Sequence, residues 1–71
     1  MKWILVVDCL IDISKIECIR KIMTNNKYCI SFQRNIKECF ILQFETEEQW
    51  TYEFNRISKE ICEMAHTHKD Y

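Results

Sequence analysis

The sequence predicts an α+β domain, an antiparallel sheet of four to five strands with one amphipathic C-terminal helix, residues 46–65, packed on one face. Three observations carry that expectation. Apolar residues recur at helical spacing from Trp50 to Met64. Two segments before them alternate apolar and polar residues with period two. A chain of 71 residues has material for one small core only. Residues 1–71 are therefore read as a single domain, with 66–71 a frayed tail.

Residues 2–7 read as a strand that is apolar on both faces, which predicts a central or doubly covered position. Asp8-Cys9 turns the chain into a short second strand, residues 10–13, and Ser14 interrupts it. Residues 16–23 form a third extended stretch. Asn25-Asn26 is the best hairpin signal, because Asn tolerates the positive φ that tight turns demand. A two-residue loop there would put Ile19 and Met23 on the face of Tyr28 and Phe32. A three-residue loop would put Cys18 and Ile22 there, and the pattern allows both.

Residues 28–33 alternate cleanly, with Tyr28, Ile30 and Phe32 on one face and Cys29, Ser31 and Gln33 on the other. After a bend near Asn35-Ile36, residues 39–45 do the same, with Phe40, Leu42 and Phe44 inward. Sharing one inner face sets the register. Phe32 then faces Phe40, Tyr28 faces Phe44, Cys29 faces Gln43 and Gln33 faces Cys39, so Cys29 and Cys39 are not cross-strand neighbours and form no disulfide.

Thr46 with Gln49 three residues on fits a capping box, and Glu47 and Glu48 suit the positive end of a helix dipole. Trp50, Phe54, Ile57, Ile61 and Met64 make the buried stripe. Off it lie the i,i+4 pairs Arg56–Glu60 and Lys59–Glu63. The stripe belongs against Phe32, Phe40, Leu42 and Phe44.

Composition excludes several chemistries. There is no glycine, so phosphate loops, dinucleotide fingerprints, EF-hands and nucleophile elbows have no backbone to form on. A net charge of −1, with both signs mixed along the chain, lacks the basic excess of a nucleic-acid binder. Arg20, Lys21, Lys27 and Arg34 interleave with Tyr28 and Phe32, but periodicity assigns those aromatics to the core, so direct nucleic-acid binding is disfavoured. No stretch approaches a membrane span. The apolar run Trp3–Val7 ends at Asp8, too short for a signal core. The five cysteines stand singly, as reduced thiols do in a cytoplasmic protein.

The remaining candidate sites have simpler roles. Cys62 and His66 are four apart and share a helical face, with His68 close behind, yet no paired ligands on tight turns support a metal centre. Asp8, Asp12 and Glu17 beside Lys15 are explained as turn and strand-surface residues, and no catalytic, cofactor or metal residue is assigned. That leaves surfaces: Tyr52, Glu53, Arg56 and Lys59 on the outer side of the helix, and Cys29, Cys39 and Ile41 on the uncovered back of the sheet.

Size, the sheet-then-helix layout and the lack of an enzymatic signature together resemble small orphan proteins of phages and mobile elements, among them the anti-CRISPR inhibitors. The resemblance shares no motif, so it carries over no residue roles. It implies inhibition by occlusion, with a compact charged surface blocking a host defence nuclease. The function expected is thus a non-enzymatic module acting through protein–protein contacts, with self-association as a homodimer. The alternative is a small oligomeric ligand- or nucleotide-binding protein, or a weak nucleic-acid-binding module.

Overall fold

Five antiparallel strands and a single long helix follow one another along the chain. The computed structural model describes residues 1–68, with side chains through Met64. The strands are β1 (Trp3–Val6), β2 (Cys9–Asp12), β3 (Cys18–Thr24), β4 (Lys27–Gln33) and β5 (Cys39–Phe44), and the helix α1 spans Glu47–His68. They form two sheets: a β1-β2 hairpin and a β3-β4-β5 meander. A 3₁₀ turn, Ile13–Lys15, links them.

The meander has the predicted register, with Phe32 opposite Phe40, Tyr28 opposite Phe44, and Cys29 and Cys39 opposite Gln43 and Gln33. The loop between β3 and β4 has two residues, both at positive φ (Asn25 53°, Asn26 62°). This is the left-handed pair that matches the twist of the flanking strands. It puts Ile19 opposite Phe32 and Met23 opposite Tyr28, which settles the alternative that the pattern left open. Phe32 and Phe40 stack with centroids 4.9 Å apart.

The helix opens as its sequence dictates, with the Thr46 hydroxyl accepting from the Gln49 N–H at 3.1 Å. It continues to His68, past the expected end at 65, because no glycine or proline stops it. The expected tail at 66–71 is therefore helical through His68, and 69–71 lie outside the described residues. Trp50 is the anchor. Its indole N–H donates to the Cys29 carbonyl at 2.7 Å, Tyr28 lies 5.0 Å from its ring, and the Lys21 ammonium sits 4.4 Å over it. Ile57 is fully buried, with Phe54, Ile61 and Met64 packed around the same cluster.

The hairpin corrects the reading of the first strand. Ile4, Val6, Ile11 and Ile13 join Ile30, Phe32, Phe44 and Ile57 in one core. Trp3 and Leu5 point the other way and are more than half exposed. β1 is therefore neither central nor doubly covered. A strand apolar on both faces shows that either could be buried, but not which.

Candidate interaction surfaces

The residues that the sequence proposes for recognition divide between the outer side of the helix and the back of the meander. On the outer helix side Tyr52 and Lys59 are exposed, but Glu53 is only 8% exposed. It is not a recognition residue. The hairpin lies over that side of the helix and draws Glu53 into a clamp. Arg56 grips its carboxylate with Nε at 2.7 Å and Nη2 at 3.2 Å, and Nη2 also donates to the Leu5 carbonyl at 2.6 Å. The Glu53 carboxylate holds the Arg56 guanidinium pKa above its ordinary value. The same docking replaces the predicted Arg56–Glu60 pair. Glu60 instead meets Lys2 of the hairpin at 2.5 Å, so the Glu60 Oε2 atom, shut off from water, has an ammonium beside it. Hydrogen bonding within this pair raises the Lys2 pKa and lowers that of Glu60.

The back of the meander keeps Cys39 and Ile41 exposed, as expected, but Cys29 is 3% exposed. The register explains the difference: Cys29 sits between Ile22 and Gln43, and a small thiol between two longer side chains is closed over. Cys39 lies 3.4 Å from the Ser31 hydroxyl, beside a shallow cavity of ≈ 200 Å³ that Cys18 and Arg20 also line. Cys18 borders a second cavity of ≈ 160 Å³, shared with Cys62 and Ser58, so these two thiols flank one groove. All five thiols are free.

A further surface lies on the outside of the hairpin. Trp3, Leu5 and Leu10 are 56%, 55% and 66% exposed, and Val7 in the adjoining turn is half exposed. Leu5 pairs with Leu10 and Trp3 with Asp12, so the three apolar side chains form one contiguous patch on the outside of the hairpin. Its sequence signal is the second apolar face of residues 2–7, which the pattern alone reads as covered.

The hairpin also has a free edge. The Ile13 N–H donates to the Lys2 carbonyl at 2.9 Å. Alternation along the antiparallel ladder then makes Ile4–Ile11 and Val6–Cys9 the hydrogen-bonded pairs. The main-chain groups of Leu5 and of Leu10 and Asp12 consequently point away from the hairpin. Arg56 takes the Leu5 carbonyl, but none of the described residues takes the N–H or carbonyl of Leu10. Beyond that edge lies a cavity of ≈ 290 Å³ whose walls include Ile11, Ile16, Arg34 and Phe40. Asp12 closes one end of the edge. Its Oδ1 accepts from the Ser14 hydroxyl at 2.6 Å, the Ser14 N–H at 3.1 Å and the Lys2 N–H at 3.2 Å. These bonds, led by the Ser14 hydroxyl, hold its carboxyl below the usual range. Ser14 and Asp12 are thus engaged with each other in starting the 3₁₀ turn.

The basic residues of the meander do not form a stripe. Lys21 is drawn to the helix, where its ammonium donates to the Thr51 hydroxyl at 3.0 Å, while Arg20 lines the opposite face. Phe32 is buried and Tyr28 half-buried under the helix, which withdraws both from stacking on bases. Among the described residues no three His, Cys, Asp or Glu side chains converge on a metal-sized site. The side chains of His66 and His68 lie outside the described residues. No described helix is long and apolar enough to cross a membrane. No protein-family model matches the chain, and no curated protein or solved structure shows significant similarity to it.

Proposed function

We propose that this chain is a non-enzymatic binding module whose recognition surface is the outer face of the β1-β2 hairpin. One observation carries the reading: Trp3, Leu5 and Leu10 stand together, each more than half exposed, on the side of the hairpin turned away from the core. A Trp beside a cross-strand pair of Leu is a characteristic interface anchor, because burying it removes a large apolar area at small entropic cost. Holding such residues in water otherwise benefits nothing in a domain with so thin a stability margin. The partner is a protein with a complementary apolar recess, and an inhibitor of the anti-CRISPR kind is one instance of this class.

The test compares the unmodified chain with Trp3→Ser/Leu10→Ser and with Tyr52→Ala in quantitative affinity purification from a host extract. The expected result is a partner retained by the unmodified chain and by Tyr52→Ala, and lost at least tenfold by the hairpin variant. A partner set indifferent to the hairpin variant, or none above the bare matrix, overturns the reading. The inhibitor form is checked separately, by titrating the protein into a purified defence nuclease and following cleavage.

A further inference from the structure

We propose that the outer edge of β2 receives an extended strand from the partner protein, with apolar residues at the centre of that strand and a basic residue at each end. The inference rests on the binding reading above and specifies how the partner engages. A strand offering unpaired main-chain groups is a template for another strand. At β2 those groups are the N–H and carbonyl of Leu10 and the N–H of Asp12, whose carbonyl is taken as the N-cap of the 3₁₀ turn, and β1 cannot use them because the ladder parity directs them outward. The edge of β3 is a poorer template. β3 carries Arg20 and Lys21, the kind of charge that guards an edge, and the cavity of ≈ 290 Å³ lies against β2.

The chemistry of the occupant follows from what surrounds the edge. Asp8 and Asp12 stand at its two ends. Asp8 is exposed and bonds to none of the described residues. The three bonds to Asp12 all end on Oδ1, which leaves Oδ2 for an incoming cation. Two copies of β2 laid antiparallel about Leu10 would set Asp8 against Asp12, a like-charge pairing that opposes self-association. A strand with Lys or Arg at both ends instead finds a carboxylate at each. Its residues on the cavity side meet Ile11, Ile16 and Phe40 and must be apolar, and Arg34 on that wall repels a basic side chain. Its central residue, opposite Leu10, extends the Trp3–Leu5–Leu10 patch, of which Trp3 and Leu10 also border the cavity.

The probe is the acetylated, amidated peptide Lys-Val-Leu-Val-Lys, titrated into the ¹⁵N-labelled protein and followed by amide chemical shifts. Shifts at Leu10 and Asp12 are expected, with affinity falling about tenfold for the Glu-Val-Leu-Val-Glu peptide. Leu10→Pro removes the outward N–H without touching the hairpin ladder, and should abolish those shifts while Leu10→Ala retains them. Should Leu10→Pro not fold, the same peptide with its central amide N-methylated replaces it and should bind at least tenfold more weakly. Equal affinity for both peptides, or for the N-methylated one, overturns the inference. So do Leu10 and Asp12 shifts that move with protein concentration alone, which would make the occupant a second copy. Loss of binding on Trp3→Ser with Leu10→Pro unaffected would refute edge pairing and leave the face reading standing.

Discussion

Replacing Arg56 with Met should loosen the hairpin from the helix and leave the rest of the domain folded. Met keeps most of the aliphatic stem, so the change isolates the guanidinium. Three bonds go: two to Glu53, at 2.7 and 3.2 Å, and one to the Leu5 carbonyl at 2.6 Å. The Glu53 side chain is only 10% exposed and is left as an uncompensated carboxylate. Breaking a fully buried pair from one side costs about 3–5 kcal/mol. Arg56 is one-third exposed, so water screens part of the interaction and the expected loss is about 2–3 kcal/mol. A domain of this size has roughly 4–10 kcal/mol in total. Urea unfolding should therefore show a midpoint lower by more than about 1 M at unchanged slope. Amide exchange should quicken at Ile4 and Ile11 more than in the meander. Pairing Arg56→Met with Glu53→Gln removes the stranded charge, and the double variant should be more stable than the sum of the two single losses. An Arg56→Met loss below about 0.5 kcal/mol, or strict additivity, would refute the clamp, since that is the range of an exposed ion pair.

Trp50→Phe should cost about 1–3 kcal/mol, because the Cys29 carbonyl loses its indole donor and Lys21 its strongest ring partner. Urea unfolding followed by circular dichroism measures it. Val7 sits at φ 60°, which is strained for a β-branched residue, so Val7→Gly should raise stability by about 0.5–2 kcal/mol despite glycine's entropy. A lower melting temperature would contradict that. The carboxyl of Asp12 is depressed in the folded state, so the unfolded chain binds its proton first as pH falls. The stabilisation it gives is complete above its unfolded pKa of about 3.9 and is lost as pH drops through the lower folded value. Asp12→Asn should flatten the acid limb of a melting-temperature profile between about pH 2 and 5, and identical limbs would exclude the role.

The meander was legible in the sequence because each of its constraints is local. Alternation in residues 28–33 and 39–45 fixed their register, and two adjacent Asn residues could both adopt the left-handed conformation that chose the loop. The split into two sheets was not legible, since nothing in residues 2–7 says which apolar face meets the helix. That missing fact propagated. With the hairpin unplaced, Glu53 reads as an off-stripe surface residue and Glu60 as a partner for Arg56, while Trp3 and Leu5 read as covered. Cys29 failed for another reason: its face was read correctly, but exposure also depends on the length of the cross-strand neighbours, here Ile22 and Gln43. Tyr52, Lys59, Cys39 and Ile41 lie where spacing put them because no distant element intrudes there.

The hairpin and the meander share no ladder, and this bears on the order in which the chain organises itself. Strands β3 to β5 and the helix close through short excursions along the chain. The contact between Arg56 and the Leu5 carbonyl spans 51 positions. Closing a long excursion is entropically favourable only after the surface it lands on exists. The amino-terminal quarter should therefore dock last on folding and detach first on opening. A partner that grips the hairpin would then engage the least anchored part of the molecule, so its binding would be read as added protection of the whole chain against unfolding.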